Sequence, residues 1–92
     1  MAIITYHATV SGRVQGVFFR DCTRKKAWEL ELTGWVKNLP NGNVETVFSG
    51  PADSVEKMKE WLHEGSPHAR VDEVTFDKVN EPTPFSYFEI VY

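Results

Sequence analysis

Residues 3–32 read IITYHATVSGRVQGVFFRDCTRKKAWELEL, and the change of rhythm along them sets the fold class. From Ile3 to Val10, the residues Ile4, Tyr6, Ala8 and Val10 alternate with Thr5, His7 and Thr9. A period of two carried by β-branched residues is the pattern of a half-buried strand. Ser11 to Phe19 breaks that period, holds Gly12 and Gly16, and reads as a loop. From Arg20 to Leu32 the period lengthens. Phe19, Thr23, Ala27 and Leu30 fall on one face, with Arg24, Lys25, Glu29 and Glu31 elsewhere, as in an amphipathic helix.

The chain beyond repeats this economy. Thr33–Leu39 is a short strand carrying Gly34, Trp35 and Val36. Pro40-Asn41-Gly42 is a turn, because proline fixes φ and Asn-Gly tolerates positive φ. Val44–Ser49 is the returning arm of the hairpin, and Gly50-Pro51 stops it. Asp53 followed by Glu56 predicts a capping box. Val55, Met58 and Trp61 or Leu62 give the next helix its apolar stripe, and Gly65 and Pro67 end it. Val71–Val79 is a fourth strand with Val71, Val74 and Phe76 toward the core. Its broken alternation between Val71 and Val74 predicts a bulge. Asn80–Pro84 is a proline-bearing loop, and in Phe85–Tyr92 the residues Phe88, Ile90 and Tyr92 share one face. The order β-α-β-β-α-β plus a last strand predicts an α+β, two-layer ferredoxin-like sandwich. In it, one antiparallel sheet carries two helices on one face and leaves the other partly wet.

Length and composition set bounds. The 92 residues suit one domain, 1–92. Apolar residues at 41% supply a core and exclude a disordered chain. Ten Lys+Arg against thirteen Asp+Glu give a formal charge of −3, the wrong sign for a sequence-independent nucleic-acid binder. No window approaches the ~20 apolar residues of a membrane span. Met1–Val10 lacks the basic and apolar regions of a signal peptide. Cys22 is the single cysteine, so no intrachain disulfide forms. His7, His63 and His68 lack metal-ligand spacing, and no metal or cofactor is expected. These features predict a soluble cytoplasmic monomer without a nucleic-acid or membrane partner.

The loop from Gly12 to Arg20 bears on function. It feeds a helix N-terminus, where backbone N–H groups are unpaired and the macrodipole is positive. N–H groups in a glycine-containing loop can curl into an anion nest, and the planar fork of Arg20 matches phosphate oxygens. Bland readings compete: loop glycines commonly relieve turn strain, and Arg20 can be a surface arginine. No Gly-Lys-Ser/Thr follows, so this is not a nucleotide-binding Walker loop. On the loop alone, the anion site and the ordinary loop stand close together. Cys22 follows Arg20, whereas a cysteine phosphatase needs its nucleophile inside the phosphate loop, so Cys22 reads as a small packing residue. Trp35 reads as core.

A second motif decides between the two. Gly12, Val14, Gln15, Gly16, Val17, Phe19 and Arg20 are followed by Gly34, Trp35, Val36 and Asn38 and then by Gly42, Val44 and Glu45. With Thr23, Ala27 and Leu30 between them and Phe88, Ile90 and Tyr92 at the end, the chain resembles the acylphosphatase family from end to end. That family reads Gly-x-Val-Gln-Gly-Val-x-Phe-Arg, then Gly-Trp-Val-x-Asn, then Gly-x-Val-Glu. The resemblance implies hydrolysis of acyl phosphates to a carboxylate and inorganic phosphate. It implies Arg20 and Asn38 as catalytic residues, with the backbone of Gln15, Gly16, Val17, Phe18 and Phe19 as the phosphate cradle. Phosphate or sulfate would bind there as product-like ligands. Glu31 departs from the pattern, since relatives usually carry glycine there. Glycine suits a left-handed helix cap, so this helix must end differently or under strain.

The implied chemistry asks little of side chains. The leaving carboxylate has a conjugate-acid pKa of about 4 and needs no general acid. Phosphoryl transfer then requires charge stabilisation and positioning. An anion-binding module without catalysis needs the cradle but not Asn38, so the joint presence of Arg20 and Asn38 separates the two functions. An RNA-recognition domain shares the element order but wants a basic sheet face with exposed aromatics, against the acidic balance here.

Overall fold

The computed structural model describes residues 3–81 and 85–92. Its elements are β1 (Ile3–Arg13), α1 (Phe19–Glu29), β2 (Thr33–Asn38), β3 (Val44–Pro51), α2 (Ala52–Glu64), β4 (Arg70–Val79) and β5 (Phe88–Ile90). They form one five-stranded sheet in the order β4-β1-β3-β2-β5. The two helices pack on one face, α1 over β2 and β5, α2 over β4, β1 and β3. This is the ferredoxin-like sandwich. The antiparallel expectation holds for β1 to β4, whereas the added β5 pairs parallel to β2.

Alternation along the strands builds the core. Ala8 and Val10 of β1, Val36 of β2, Val44 and Phe48 of β3 and Phe88 of β5 are fully buried under the helices. The helices answer with Phe19 and Ala27 from α1 and Val55, Met58 and Leu62 from α2. Trp61 stays half-buried and packs its ring 5.8 Å from that of Phe19. Val71, Val74 and Phe76 are only partly buried, because β4 is an edge strand. The opposite sheet face is held by polar pairs. Thr5 and Ser49 hydroxyls meet at 2.8 Å, and His7 Nε2 lies 2.7 Å from Glu45 Oε2.

Several expectations change. β1 runs to Arg13 rather than stopping at Val10, because Gly12 keeps it paired to β4. The register slips between Ser11↔Glu73 and Gly12↔Val71, leaving Asp72 as the extra residue of the bulge expected between Val71 and Val74. Gly12 has φ +123°, and a Cβ there would stand 2.1 Å from the Arg70 carbonyl oxygen. Asp53 does not cap α2. Pro51 is the N-cap, without a side-chain hydrogen bond, because β3 runs directly into the helix and starts it earlier. Trp35 is not core. It lies between Gly34 and Val36, which share the helix-side face with Phe48, so its side chain falls on the open face and is half-buried. Tyr92 is 98% exposed, since β5 ends at Ile90. The expected loop Asn80–Pro84 falls in part outside the described residues.

The end of α1 resolves the Glu31 departure. Leu30 is the C-cap, Glu31 N–H bonds the Trp28 carbonyl at 3.1 Å, and Leu32 N–H bonds the Ala27 carbonyl at 2.9 Å. This is a Schellman motif with glutamate at its left-handed position, φ +57°. A side chain in that conformation is strained by about 1–2 kcal/mol. Glu31→Gly removes the strain but adds freedom to the unfolded chain. It should therefore raise unfolding stability by about 1 kcal/mol and Tm by about 4 °C, read by urea and thermal denaturation. Glu31→Ala, which keeps a Cβ, should give no comparable gain.

Candidate functional site

The loop between β1 and α1 has its apolar side chains turned inward. Val14, Val17 and Phe19 are buried at 1%, 6% and 1% exposure, while Gly16 and Phe18 stay outside. Gly16 at φ +74° and Phe18 at φ +60° flank Val17, which has negative φ. Alternating handedness of this kind turns successive N–H groups toward one side. No backbone hydrogen bond among the described residues engages the N–H groups of Gly16, Val17 or Phe18. Phe18 is also the N-cap of α1, so the unpaired N–H groups of the first helical turn continue the series.

Two side chains brace this loop from behind. Gln15 Nε2 donates to the carbonyls of Leu39 and Asn43, each at 2.8 Å. Ser66 Oγ, buried in the α2–β4 connection, donates to the Val17 carbonyl at 2.8 Å. The sequence reading placed Gln15 in the cradle by its backbone and missed the work of its side chain. Ser66 was missed altogether. Its neighbours Gly65 and Pro67 read only as a helix stop, and no sequence signal marks its reach to residue 17.

Strand directions bring the second motif to the same edge. β1 and β2 both run antiparallel to β3, so they run parallel to each other. Their C-terminal ends therefore meet at one edge, and Val44 of β3 is the register partner of both Val10 and Asn38. β2 does not pair with β1 directly, since β3 lies between them. Asn38 reaches the loop because the loop crosses over β3 on its way to α1.

The result is a cleft of about 280 Å3 lined by Gly16, Phe18, Phe19, Arg20 and Asn38, with Val14, Asp21, Ile90 and Tyr92. Gln15 and Val17 do not line it; one side chain faces the β2–β3 turn and the other the core. Arg20 forms no ion pair among the described residues and rests its guanidinium 5.2 Å from the centre of the Tyr92 ring. Asp21 is drawn toward Arg24 at 3.4 Å, which offsets a carboxylate at the rim of an anion site. Asn38 Oδ1 is buried and takes no hydrogen bond among the described residues. Buried acceptors are nearly always paired, so this unpaired one marks Asn38, which lines the cleft, as a candidate functional group. A cationic fork, a line of free N–H groups and an unpaired amide oxygen suit a tetrahedral oxyanion attacked by water.

Comparison with known proteins identifies the family. The family model for acylphosphatase matches residues 6–90. An acylphosphatase of Coxiella burnetii (strain Dugway 5J108-111) is 59% identical over 73 residues, covering 79% of this chain and 77% of its own. The solved structure of an acylphosphatase from Coxiella burnetii superposes with a TM-score of 0.91 at 49% identity, over 97% of this chain and 93% of that one. The crystal structure of acylphosphatase from Bacillus subtilis gives 0.93 at 35% identity, over 97% and 99%. The chain belongs to the acylphosphatase family.

The Gln15 brace carries a prediction. Gln15→Ala leaves two carbonyls without their donor and should lower stability by about 1–2 kcal/mol in urea denaturation. Because Leu39 adjoins Asn38, turnover should fall as well. Ser66→Ala, at the other support, should destabilise the loop without touching the β2–β3 turn, and should spare turnover more than Gln15→Ala does.

Proposed function

We propose that this acylphosphatase-family chain hydrolyses the carboxyl–phosphate anhydride bond with Arg20 and the backbone of residues 15–19 binding the phosphoryl group and Asn38 orienting the attacking water. The observation that supports the reading is that Asn38, whose buried Oδ1 takes no hydrogen bond among the described residues, lines the same cleft as Arg20, whose guanidinium forms no ion pair among them.

The steps follow from charge. The phosphoryl oxygens lie in the cradle, where N–H dipoles and the guanidinium meet the charge they carry in the transition state. Water donates one hydrogen to Asn38 Oδ1 and presents its lone pair to phosphorus. The oxygen–phosphorus bond forms as the phosphorus–acyl oxygen bond breaks, and that electron pair leaves with the carboxylate. The water proton passes to a phosphoryl oxygen, so no side chain need act as a strong base. A neutral amide suits this role, because a carboxylate at that place would repel the substrate. The products are a carboxylate and inorganic phosphate, and phosphate or sulfate would occupy the cradle as product-like ligands.

No helix among the described residues is long and apolar enough to cross a membrane. With a formal charge of −3 in 92 residues, we take the working form to be a cytoplasmic monomer, which sedimentation at working concentration checks directly.

The two residues should fail differently. Arg20→Gln should lose both phosphate affinity and turnover, since ground and transition states share the phosphoryl charge. Asn38→Ala should bind inorganic phosphate nearly as well as wild type while kcat falls by about 10²–10³-fold, the usual loss for one positioned polar group. Hydrolysis of benzoyl phosphate in EDTA, with phosphate binding by calorimetry, reads both. Wild-type turnover by Asn38→Ala would refute its role.

A further inference from the structure

Phe18 is an exposed aromatic held where neither stability nor phosphate binding requires one. It is 73% exposed, sits at φ +60°, and lines the cleft together with Arg20 and Asn38. A backbone cradle is indifferent to its side chains, and glycine would serve this left-handed position without strain. Of the described residues other than glycine, only Glu31 shares a positive φ, and it lies far from the cleft at the opposite end of α1. Beyond the loop, Arg20 and Asn38, the same cleft is lined by Ile90, Tyr92 and Asp21. Tyr92 is 98% exposed and carries its ring over the Arg20 guanidinium.

Displacement at phosphorus is in line, so the leaving group departs opposite the attacking water. In the mechanism proposed above, Asn38, which stands on β2 with its Oδ1 buried, holds the water at the sheet side of the cleft. The acyl group must then leave on the solvent side, where Phe18 and Tyr92 stand. We infer that Phe18, with Tyr92, forms the subsite for the acyl group and selects acyl phosphates whose acyl part is apolar and uncharged; this rests on the hydrolase reading above. An aromatic face favours apolar and aromatic groups. Asp21 at the rim, its charge only partly offset by Arg24 at 3.4 Å, disfavours an acyl group that bears its own carboxylate.

The test is kcat/KM for acetyl, butyryl, succinyl and benzoyl phosphate with wild type, Phe18→Ala and Phe18→Leu. Wild type should rank benzoyl above butyryl above acetyl, and butyryl above succinyl, its acid-bearing four-carbon counterpart. Phe18→Ala should lower the benzoyl value about ten-fold more than the acetyl value, chiefly through KM, in line with the discrimination one apolar contact provides. Phe18→Leu should restore most of that ratio. An equal loss for every substrate in Phe18→Ala, or a wild type that does not rank them, overturns the subsite while leaving the hydrolase standing. Failure of wild type to hydrolyse any of the four overturns both.

Discussion

The constraint on which the structure turns is that the loop from Val14 to Phe18 must be held in place although no backbone hydrogen bond among the described residues engages the N–H groups of Gly16, Val17 or Phe18. Regular structure achieves rigidity by pairing those groups, so it cannot be used here. The loop is fixed instead by what it does not present to the cleft. Val14 and Val17 sink into the core, followed by Phe19 at the helix start. The Gln15 amide spans to the β2–β3 turn, and the Val17 carbonyl receives Ser66 from the far side. Donors already held in place can meet an anion without reorganising.

The sheet makes the second half of the site possible. Insertion of β3 between β1 and β2 keeps those two strands parallel and ends them at one edge. Their registers through Val44 set Asn38 level with Val10. The open face contributes to that alignment. The Thr5–Ser49 bond and the His7–Glu45 contact both join β1 to β3. From the helix-side face, Thr46 Oγ1 bonds the Trp35 carbonyl at 2.8 Å, joining β3 to β2. A slip of one residue in either pair would turn Asn38 away from the helix-side face. The wet face therefore supports the site although no part of it touches the cleft.

Much of this was legible in the chain. Period-two runs located β1 to β4, and the apolar stripes located both helices, because burial against a single opposite layer leaves its spacing in the sequence. The broken alternation before Val74 marked a real bulge. Glu31, standing where glycine is the natural cap, marked a strained one. The misreadings share a cause. Trp35 looked like core because it is large and apolar, yet the face a strand residue occupies depends on its neighbours' register. Asp53 looked like a cap because its spacing to Glu56 fits one, yet Pro51 starts the helix before it. Tyr92 fell in phase with Phe88 and Ile90, but phase has no consequence once the strand has ended.

By itself, the sequence determined the order of elements and the two-layer sandwich, and its resemblance to the acylphosphatase family singled out Arg20 and Asn38 as candidate site residues. The elements depend on local spacing, which the chain carries directly. Only the tertiary structure decided that Asn38 and Arg20 line one cleft, that Gln15 works through its side chain, and that Ser66 belongs to the loop at all. These pairings join residues 18 to 49 positions apart, and nothing in local spacing encodes which distant backbone carbonyl will stand within 3 Å of a given donor once the sheet has closed.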